Sequence, residues 1–311
     1  YIMPATIETL SQMVDKFNAA SGGAIRLTTE GFTGDFLQES FFASLESAQR
    51  RVDRYAANSA VTPTDLTELR HSTVKVAGGI GPIRYEPSQM TWLQRPTAQG
   101  IEVASRNFAQ IMLKDQLNTV ISALVAAISN QAAATNNVSA TDGLSYSAMN
   151  GAHAKFGDHS GNIIADVMNG AAYHKLIEKN LANGHQLFQA NNVRVVDILG
   201  KIAIVTDASA LFATGTPDLI KVLSLTDAAA IVSGSGDVVS NIETTNGNNR
   251  IETTLQVDYS FGVGIKGYTW NEANGGKSPT DAEISTGANW TKVATSIKHT
   301  AGVITIADAS K

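Results

Sequence analysis

Between Ile101 and Ala134 apolar residues recur every three or four positions: Ile101, Ala104, Phe108, Ile111, Met112, Leu117, Val120, Ile121, Leu124, Val125 and Ile128. That spacing lays one apolar stripe along a helix. No glycine or proline interrupts the run. A single helix of roughly 50 Å is therefore expected, at a rise of ~1.5 Å per residue. Globular helices average ~12 residues, so this one reads as a strut. Its stripe is expected to pack on strands near Tyr259–Trp270 rather than on a second helix.

Upstream the periodicity is broken. A short amphipathic helix is expected over Ile7–Ala20, stopped by Gly22 and Gly23, and another over Ser44–Ala57. The second would carry Arg50, Arg51 and Arg54, and Phe32, Phe36, Phe41 and Phe42 lie in the glycine-interrupted stretch between the two. Residues 1–65 thus read as an arm with little core of its own, and apolar residues on an arm need another surface. Residues 69–93 have strand character on both sides of Gly78, Gly79 and Gly81, with Val74 and Val76 before and Ile83 and Tyr85 after. The pattern predicts a long β-hairpin, which alone is marginal in water. Val74, Lys75, Val76, Ile80, Ile83, Arg84 and Tyr85 are accordingly expected to contact a neighbouring subunit. The same holds for the phenylalanines and arginines of the arm.

Downstream the elements are shorter. Helices are expected over 148–156 and 170–181, the second capped by Asn169. Strands are expected over 162–168, 193–198, 201–206, 219–225 and 303–306. A hairpin over 238–245 and 250–257 would turn at Asn246–Asn249, before a β-rich stretch from Tyr259 to Trp270. Helices and strands are segregated rather than alternating as βαβ units, so the fold class is α+β.

Composition narrows the function. The 311 residues are 16% charged with a net charge of −5, which gives no basic field to draw in nucleic acid. Cysteine is absent, which removes disulfides and thiol chemistry and fits a reducing cytoplasm. No wholly apolar stretch approaches the ~20 residues of a membrane span, and no signal peptide is visible.

Candidate chemistry stays unassembled. Gly262-Val-Gly264-Ile-Lys-Gly267 spells G-x-G-x-x-G, but no helix opens within it, so it reads as a strand running through glycines. Asp158-His159-Ser160 sets acid, base and hydroxyl side by side, whereas a triad converges from separated positions. His174 and Glu178 are one helical turn apart without a third ligand. His153 has no visible partner, and Ser233-Gly-Ser-Gly236 lacks the following Lys-Ser/Thr of a phosphate loop. No catalytic residue, metal site or cofactor is expected.

The order of elements and three stretches of sequence resemble the major capsid proteins of tailed bacteriophages, with the Hong Kong ninety-seven phage fold. The similarity is to the subfamily typified by the coat protein of a Bacillus siphophage. The first stretch runs from Ala148 to Asp207. It holds Lys155-Phe156-Gly157-Asp158, the strand Ile163–Met168, Ala172-Tyr173-His174-Lys175-Leu176, and Leu199-Gly200-Lys201-Ile202-Ala203-Ile204-Val205-Thr206-Asp207. Asn169-Gly170 stands where the family has His-Ser. The second is Tyr259–Tyr268, similar to the family's Y-x-F-G-x-G-x-x-G-Y, which accounts for the dinucleotide-like match. The third is Ser278–Glu283 followed by Ala288-Asn289-Trp290.

The resemblance implies an N-terminal arm (1–65), an extended loop (66–98), a peripheral domain with the spine helix (99–140) and an axial domain (141–255). Peripheral return strands (256–295) and a C-terminal segment (296–311) would follow. It implies self-assembly into hexamers and pentamers of an icosahedral head around double-stranded DNA, without sequence-specific binding and without a membrane. Scaffolding, portal and decoration proteins would be partners. A negative wall suits that role, because a strongly basic one would hold the phosphate backbone. Some relatives cross-link a loop lysine to an asparagine. Lys75, Lys201, Asn271 and Asn289 are available here, but no matched pair stands out, and no cross-link is expected. The alternatives are an encapsulin-type compartment shell, a cytoplasmic α+β enzyme, and a tail-tube or adhesin subunit.

Overall fold

The computed structural model describes residues 2–28, 36–42, 50–57, 60–63, 65, 68–86, 98–182, 197–198, 201–234, 238–247 and 249–311. In chain order they form helix α1 (Ile2–Ala20), strands β1 (Ile25–Thr28), β2 (Phe36–Phe42) and β3 (Glu68–Tyr85), helix α2 (Ala98–Ser129) and strand β4 (Thr135–Asn137). Helix α3 (Tyr146–Ala154), strand β5 (Ile163–Met168) and helix α4 (Gly170–Ala182) follow. Next come β6 (Asp197–Ile198), β7 (Lys201–Val205), β8 (Phe212–Ala213), β9 (Leu219–Thr226), β10 (Ala230–Gly234), β11 (Val239–Thr245), β12 (Glu252–Ile265) and β13 (Tyr268–Trp270). The one-turn helices α5 (Glu272–Gly275) and α6 (Asp281–Ile284) precede β14 (Trp290–Lys292) and β15 (Gly302–Asp308).

Two sheets result. The first has the order β1-β10-β12-β13-β14, with β3 and β11 also on β12 and β2 on β3. The second has the order β4-β15-β9-β5-β7-β6, with β8 on β9. The chain passes from the second sheet to the first between β9 and β10 and returns with β15. The change of sheet therefore lies near Asp227 rather than at residue 255, because the pairing of β10 and β11 with β12 holds 230–245 in the first sheet.

The strut forms as α2, but it stops at Ser129 rather than Ala134. The last carbonyls of a helix lack helical partners. Here the Thr135 hydroxyl donates to the carbonyls of Gln131 (3.0 Å) and Ile128 (3.2 Å). The chain then enters β4, which pairs in parallel with Ile304–Ile306 of β15. Sheet pairing thus overrides the helix preference of Ala132–Ala134, which form a single 3-10 turn.

Val120, Ile121, Leu124, Val125 and Ile128 are buried as the stripe requires, but so are Ala123, Ala126 and Ala127. The end of α2 is therefore enclosed on all sides, by β9, β10, β12, β14, β15 and the turn at Ser209–Leu211. The segment Arg106–Ser129 meets the length and apolarity of a membrane span, yet its surroundings are those of a core helix. The expectation that the stripe meets only strands does not hold, because α1 packs along α2. Leu10, Val14 and Phe17, three and four residues apart on α1, join the same apolar cluster as Met112, Leu124 and Ile128. β1 continues this integration: Ile25 and Leu27 are buried, and the strand runs parallel to β10. From α1 to β1 the described residues up to Thr28 thus find their packing within the chain.

The expected hairpin tip at Gly78–Gly81 is not formed. β3 runs on as one 18-residue strand, antiparallel to β12 from Val74↔Val263 to Tyr85↔Thr253. A Cβ at Gly78 would lie 2.8 Å from the Tyr259 ring, so glycine is what lets that ring lie across β3. The register slips once between Leu255 and Val257, where Gly81 and Pro82 together oppose the single residue Gln256. A bulge is where a residue without an N–H donor is tolerated. The antiparallel partner that precedes β3 is β2, from Phe36↔Val74 to Phe42↔Glu68, so the connection spans 43–67.

The helix expected over Ser44–Ala57 falls partly on residues 43–49, outside the described residues. Residues 50–57 are exposed and not helical. In a helix, Arg54 would stand one turn from both Arg50 and Arg51, a like-charge arrangement that destabilises isolated helices.

The remaining elements lie close to expectation. Asn169 caps α4, its side chain accepting from the Ala172 N–H at 2.8 Å. Ser145 caps α3 in the same way through Ala148. Of the strand expected over 193–198, only Asp197–Ile198 is among the described residues. The helices α3 and α4 cover one face of the second sheet through Leu144, Met149, Met168, Leu176, Ile220 and Val222. Its other face joins the cluster around α2.

Candidate assembly surfaces

The structure divides the residues expected to contact a neighbour. Val74 and Val76 are 0% and 5% exposed and belong to the subunit's own core, facing Val263 and Phe261 across the strand pair. They are withdrawn from any contact surface, because β12 supplies the cover that a lone hairpin would lack. Lys75 is half-buried between them. Ile80 is partly buried against the core, whereas Ile83 and Arg84 are exposed. Tyr85 ends the pairing with β12 opposite Thr253. Phe32 lies outside the described residues, and Phe36, Phe41 and Phe42 lie on β2. Arg50, Arg51 and Arg54 are exposed on the 43–67 connection, together with Val52, Val61 and Tyr55.

Ile83 is part of a larger feature. Residues 79–85 of β3, 252–258 of β12 and all of β11 make a three-stranded ribbon. Residues directly opposite one another share a face. Ile83, Leu255 and Ile242 therefore form one apolar row, and Arg84, Thr254 and Glu243 a polar row on the other face. Ile242 is 64% exposed and Ile83 44%. The ion pairs Arg84–Glu252 (3.3 Å) and Arg250–Glu86 (3.0 Å) tie the ribbon's end together. Ile242 and Leu255 escaped the sequence reading: Leu255 alternates with polar residues ahead of Val257 and Tyr259, but Ile242 stands alone among polar neighbours.

The chemistry-like motifs fall into structural positions. Gly262 and Gly264 lie within β12, and Gly267 closes the turn into β13. A Cβ on Gly264 would come within 2.2 Å of Thr73 Cγ2 on β3. Gly264→Ala is expected to cost about 1–3 kcal/mol by overpacking. Adding Thr73→Ser, which removes that methyl group, should restore most of it in a denaturant-melt double-mutant cycle. Asp158, His159 and Ser160 share a 3-10 turn but diverge: Asp158 pairs with Lys298, and the His159 ring meets His299 edge to face. His174 and Glu178 are exposed on α4. Lys201 and Asn289 serve their own subunit. The Lys201 ammonium donates to the Ser160 and Ile163 carbonyls, and the Asn289 amide to Glu283.

His153 is the surprise. Its Nε2 lies 3.0 Å from Ser224 Oγ, which donates to Asp166 Oδ1, and 3.4 Å from that same Oδ1. All three residues are buried, at 5%, 0% and 0% exposure. In a hydrolytic triad the imidazole sits between hydroxyl and carboxylate. Here the hydroxyl sits between, with no opening for a substrate, so the arrangement ties α3 to β5 and β9. Among the described residues no group of three or more His, Cys, Asp or Glu could hold a metal.

No curated protein matches the sequence. Solved structures match its fold. A chain from Mycobacterium phage Cain is 12% identical, with a TM-score of 0.54 over 91% of this chain and 88% of that one. The acidic stable capsid structure of Helicobacter pylori bacteriophage KHP30 is 12% identical, with a TM-score of 0.51 over 94% and 91%. The cyanophage Pam1 capsid asymmetric unit is 12% identical, with a TM-score of 0.51 over 78% and 84%. At such identity these similarities speak for the fold, which is the tailed-phage capsid fold. The sequence itself matches one family, described as major capsid protein 13-like, from residue 1 to residue 304. That family is structural rather than enzymatic, and a match of this extent means that the chain belongs to the Gp13-like family of major capsid proteins.

Proposed function

We propose that copies of this subunit close the phage head by covering, on one another, the two projections that their own cores leave bare. The observation that carries this reading is the apolar row of the ribbon, Ile83–Leu255–Ile242, exposed at Ile83 and Ile242 and half-buried at Leu255 between them. The 43–67 connection adds Tyr55, Val52 and Val61 with three arginines beside them. Arginine and tyrosine are the residues on which interfaces most often concentrate their energy. Many modest contacts of this kind sum around a closed shell. As a major capsid protein the chain is a constituent of the virion.

In finer detail, the subunits group as hexamers and pentamers of an icosahedral shell around double-stranded DNA. Scaffolding, portal and decoration proteins are its partners. The second sheet with α3 and α4 acts as the axial domain. The first sheet with α2 acts as the peripheral domain, and the 43–67 connection with β2 and β3 as the extended loop. The copies are held without covalent links. Expression with and without the neighbouring genes, followed by negative-stain microscopy, should show closed shells whose subunits run as monomers on a denaturing gel. Soluble monomers under every condition would remove the shell reading, and a ladder of multimers would remove the non-covalent one.

A further inference from the structure

Four turns meet where the two sheets join. They are the 3-10 turn at Gly157–Asn162, the turn at Asp227, the turn at Lys266 and the 3-10 turn at Ile297–His299. Together they line a cleft of about 410 Å³ that presents His159, Lys266, Lys298 and His299. The two imidazole rings meet edge to face with centroids 5.6 Å apart. Lys266 Nζ donates to the Asp227 carbonyl at 3.0 Å and has no carboxylate partner among the described residues. Lys298 pairs with the exposed Asp158, and Arg26 pairs with Asp227 at 2.8 Å. Lys201 sits on the flank, bonded only to carbonyl oxygens. The four cations around the cleft thus outnumber its two carboxylates. On a chain of net charge −5, the remaining surface is correspondingly more acidic.

We propose that the cleft receives an aspartate or glutamate side chain from a second copy of this chain, as one of the contacts that lock neighbouring subunits together. The inference rests on the shell-subunit reading above. Chemistry favours a carboxylate, because lysine ammonium groups and imidazole N–H groups all donate to it and charge-assisted bonds are the strong ones. Size admits a side chain. The volume lies near the lower end for small-molecule sites, ~300–1,000 Å³. A double helix, whose major groove alone is ~12 Å wide, is too broad to enter. Charge favours a copy of the same protein, since the surface it brings is acidic on balance.

The direct test is an electron cryomicroscopy map of shells assembled from the wild-type chain. A neighbouring copy's carboxylate is expected within about 4 Å of the Lys266 or Lys298 ammonium, the reach of an ion pair. A cleft that holds no protein carboxylate overturns the proposal. In parallel, Lys266→Glu should cut shell yield in sedimentation by about tenfold or more, with Lys266→Gln intermediate and both subunits unchanged in circular dichroism. Wild-type yield from folded Lys266→Glu would overturn it. So would intact assembly with lost binding of duplex DNA, which would reassign the cleft to the genome. A wild-type chain that forms no shell under any condition overturns both this proposal and the reading beneath it.

Discussion

Replacing Trp290 with alanine will cost the subunit about 4 kcal/mol of stability, the range measured for removing a large aromatic from a core. The side chain is 1% exposed. Its ring meets Trp270 edge to face, with centroids 4.9 Å apart and planes at 69°. Its indole N–H donates to the Ile284 carbonyl at 3.0 Å. Trp270 stands directly opposite on β13 and donates to the Gly276 carbonyl at 2.9 Å. The pair therefore organises α5, α6 and the turn at Gly287–Asn289 around β13 and β14. Asn130, just past the end of α2, donates to the Gly287 carbonyl, so the same cluster also holds the end of the strut.

Domains have only ~5–15 kcal/mol to lose. Trp290→Ala should therefore lower the urea midpoint sharply, as followed by far-ultraviolet circular dichroism. Trp290→Phe keeps a ring against Trp270 but loses the donor, and should cost about half as much, roughly 2 kcal/mol. A loss below about 1 kcal/mol for the alanine variant, within the range of ordinary substitutions, would mean that this segment folds independently of the strut.

This cluster was legible only in part. Trp290 belonged to a stretch resembling the family's late segment, but nothing in the sequence paired it with Trp270. Elements that owe their form to local signals were read well. The strut has its spacing, α4 has the Asn169 cap, and β15 is a short apolar run. Elements whose form is imposed from a distance were not. The glycines at 78–81 have the composition of a tip, and only the Tyr259 ring, some 180 residues downstream, makes them part of a continuous strand. Arg50, Arg51 and Arg54 have the spacing of a helix face, but no described neighbour offers them an ion pair. The end of α2 is set by the pairing of β4 with β15, not by a helix breaker. The contact surface was misjudged for the same reason. Val74 and Val76 read as bare apolar residues until their partner strand was known, while Ile242 and Leu255 gained meaning only from their register with Ile83.

The buried Asp166–Ser224–His153 arrangement should respond almost as strongly. Asp166 is one charge in the apolar strand Ile163–Met168, a signal that the strand's apolar pattern hid, and a buried carboxylate demands a partner. Its partners lie on α3 and β9, beyond the reach of any local pattern. Asp166→Ala would leave the Ser224 hydroxyl and the His153 imidazole without their acceptor where no water reaches them. Each stranded polar group costs ~1–3 kcal/mol, and two are stranded here, so a total of about 3 kcal/mol is expected. Asp166→Asn keeps an oxygen for the Ser224 hydroxyl and should cost roughly half of that.

His153→Phe, which removes the ring nitrogens but keeps an aromatic ring, separates two roles. If the cluster acts as a unit, the loss from Asp166→Ala should shrink by at least ~1 kcal/mol in the His153→Phe background, as contacting residues do in a double-mutant cycle. Full additivity would mean that the three side chains are neighbours without being coupled. Coupling would have a consequence for assembly, because α3 is fixed to its sheet through this contact. A subunit that has lost it should form fewer closed shells than its remaining stability alone would suggest. Shell yield measured against urea midpoint across the three variants distinguishes the two. A single curve through all points reports stability only, whereas Asp166→Ala falling below that curve reports a misplaced α3.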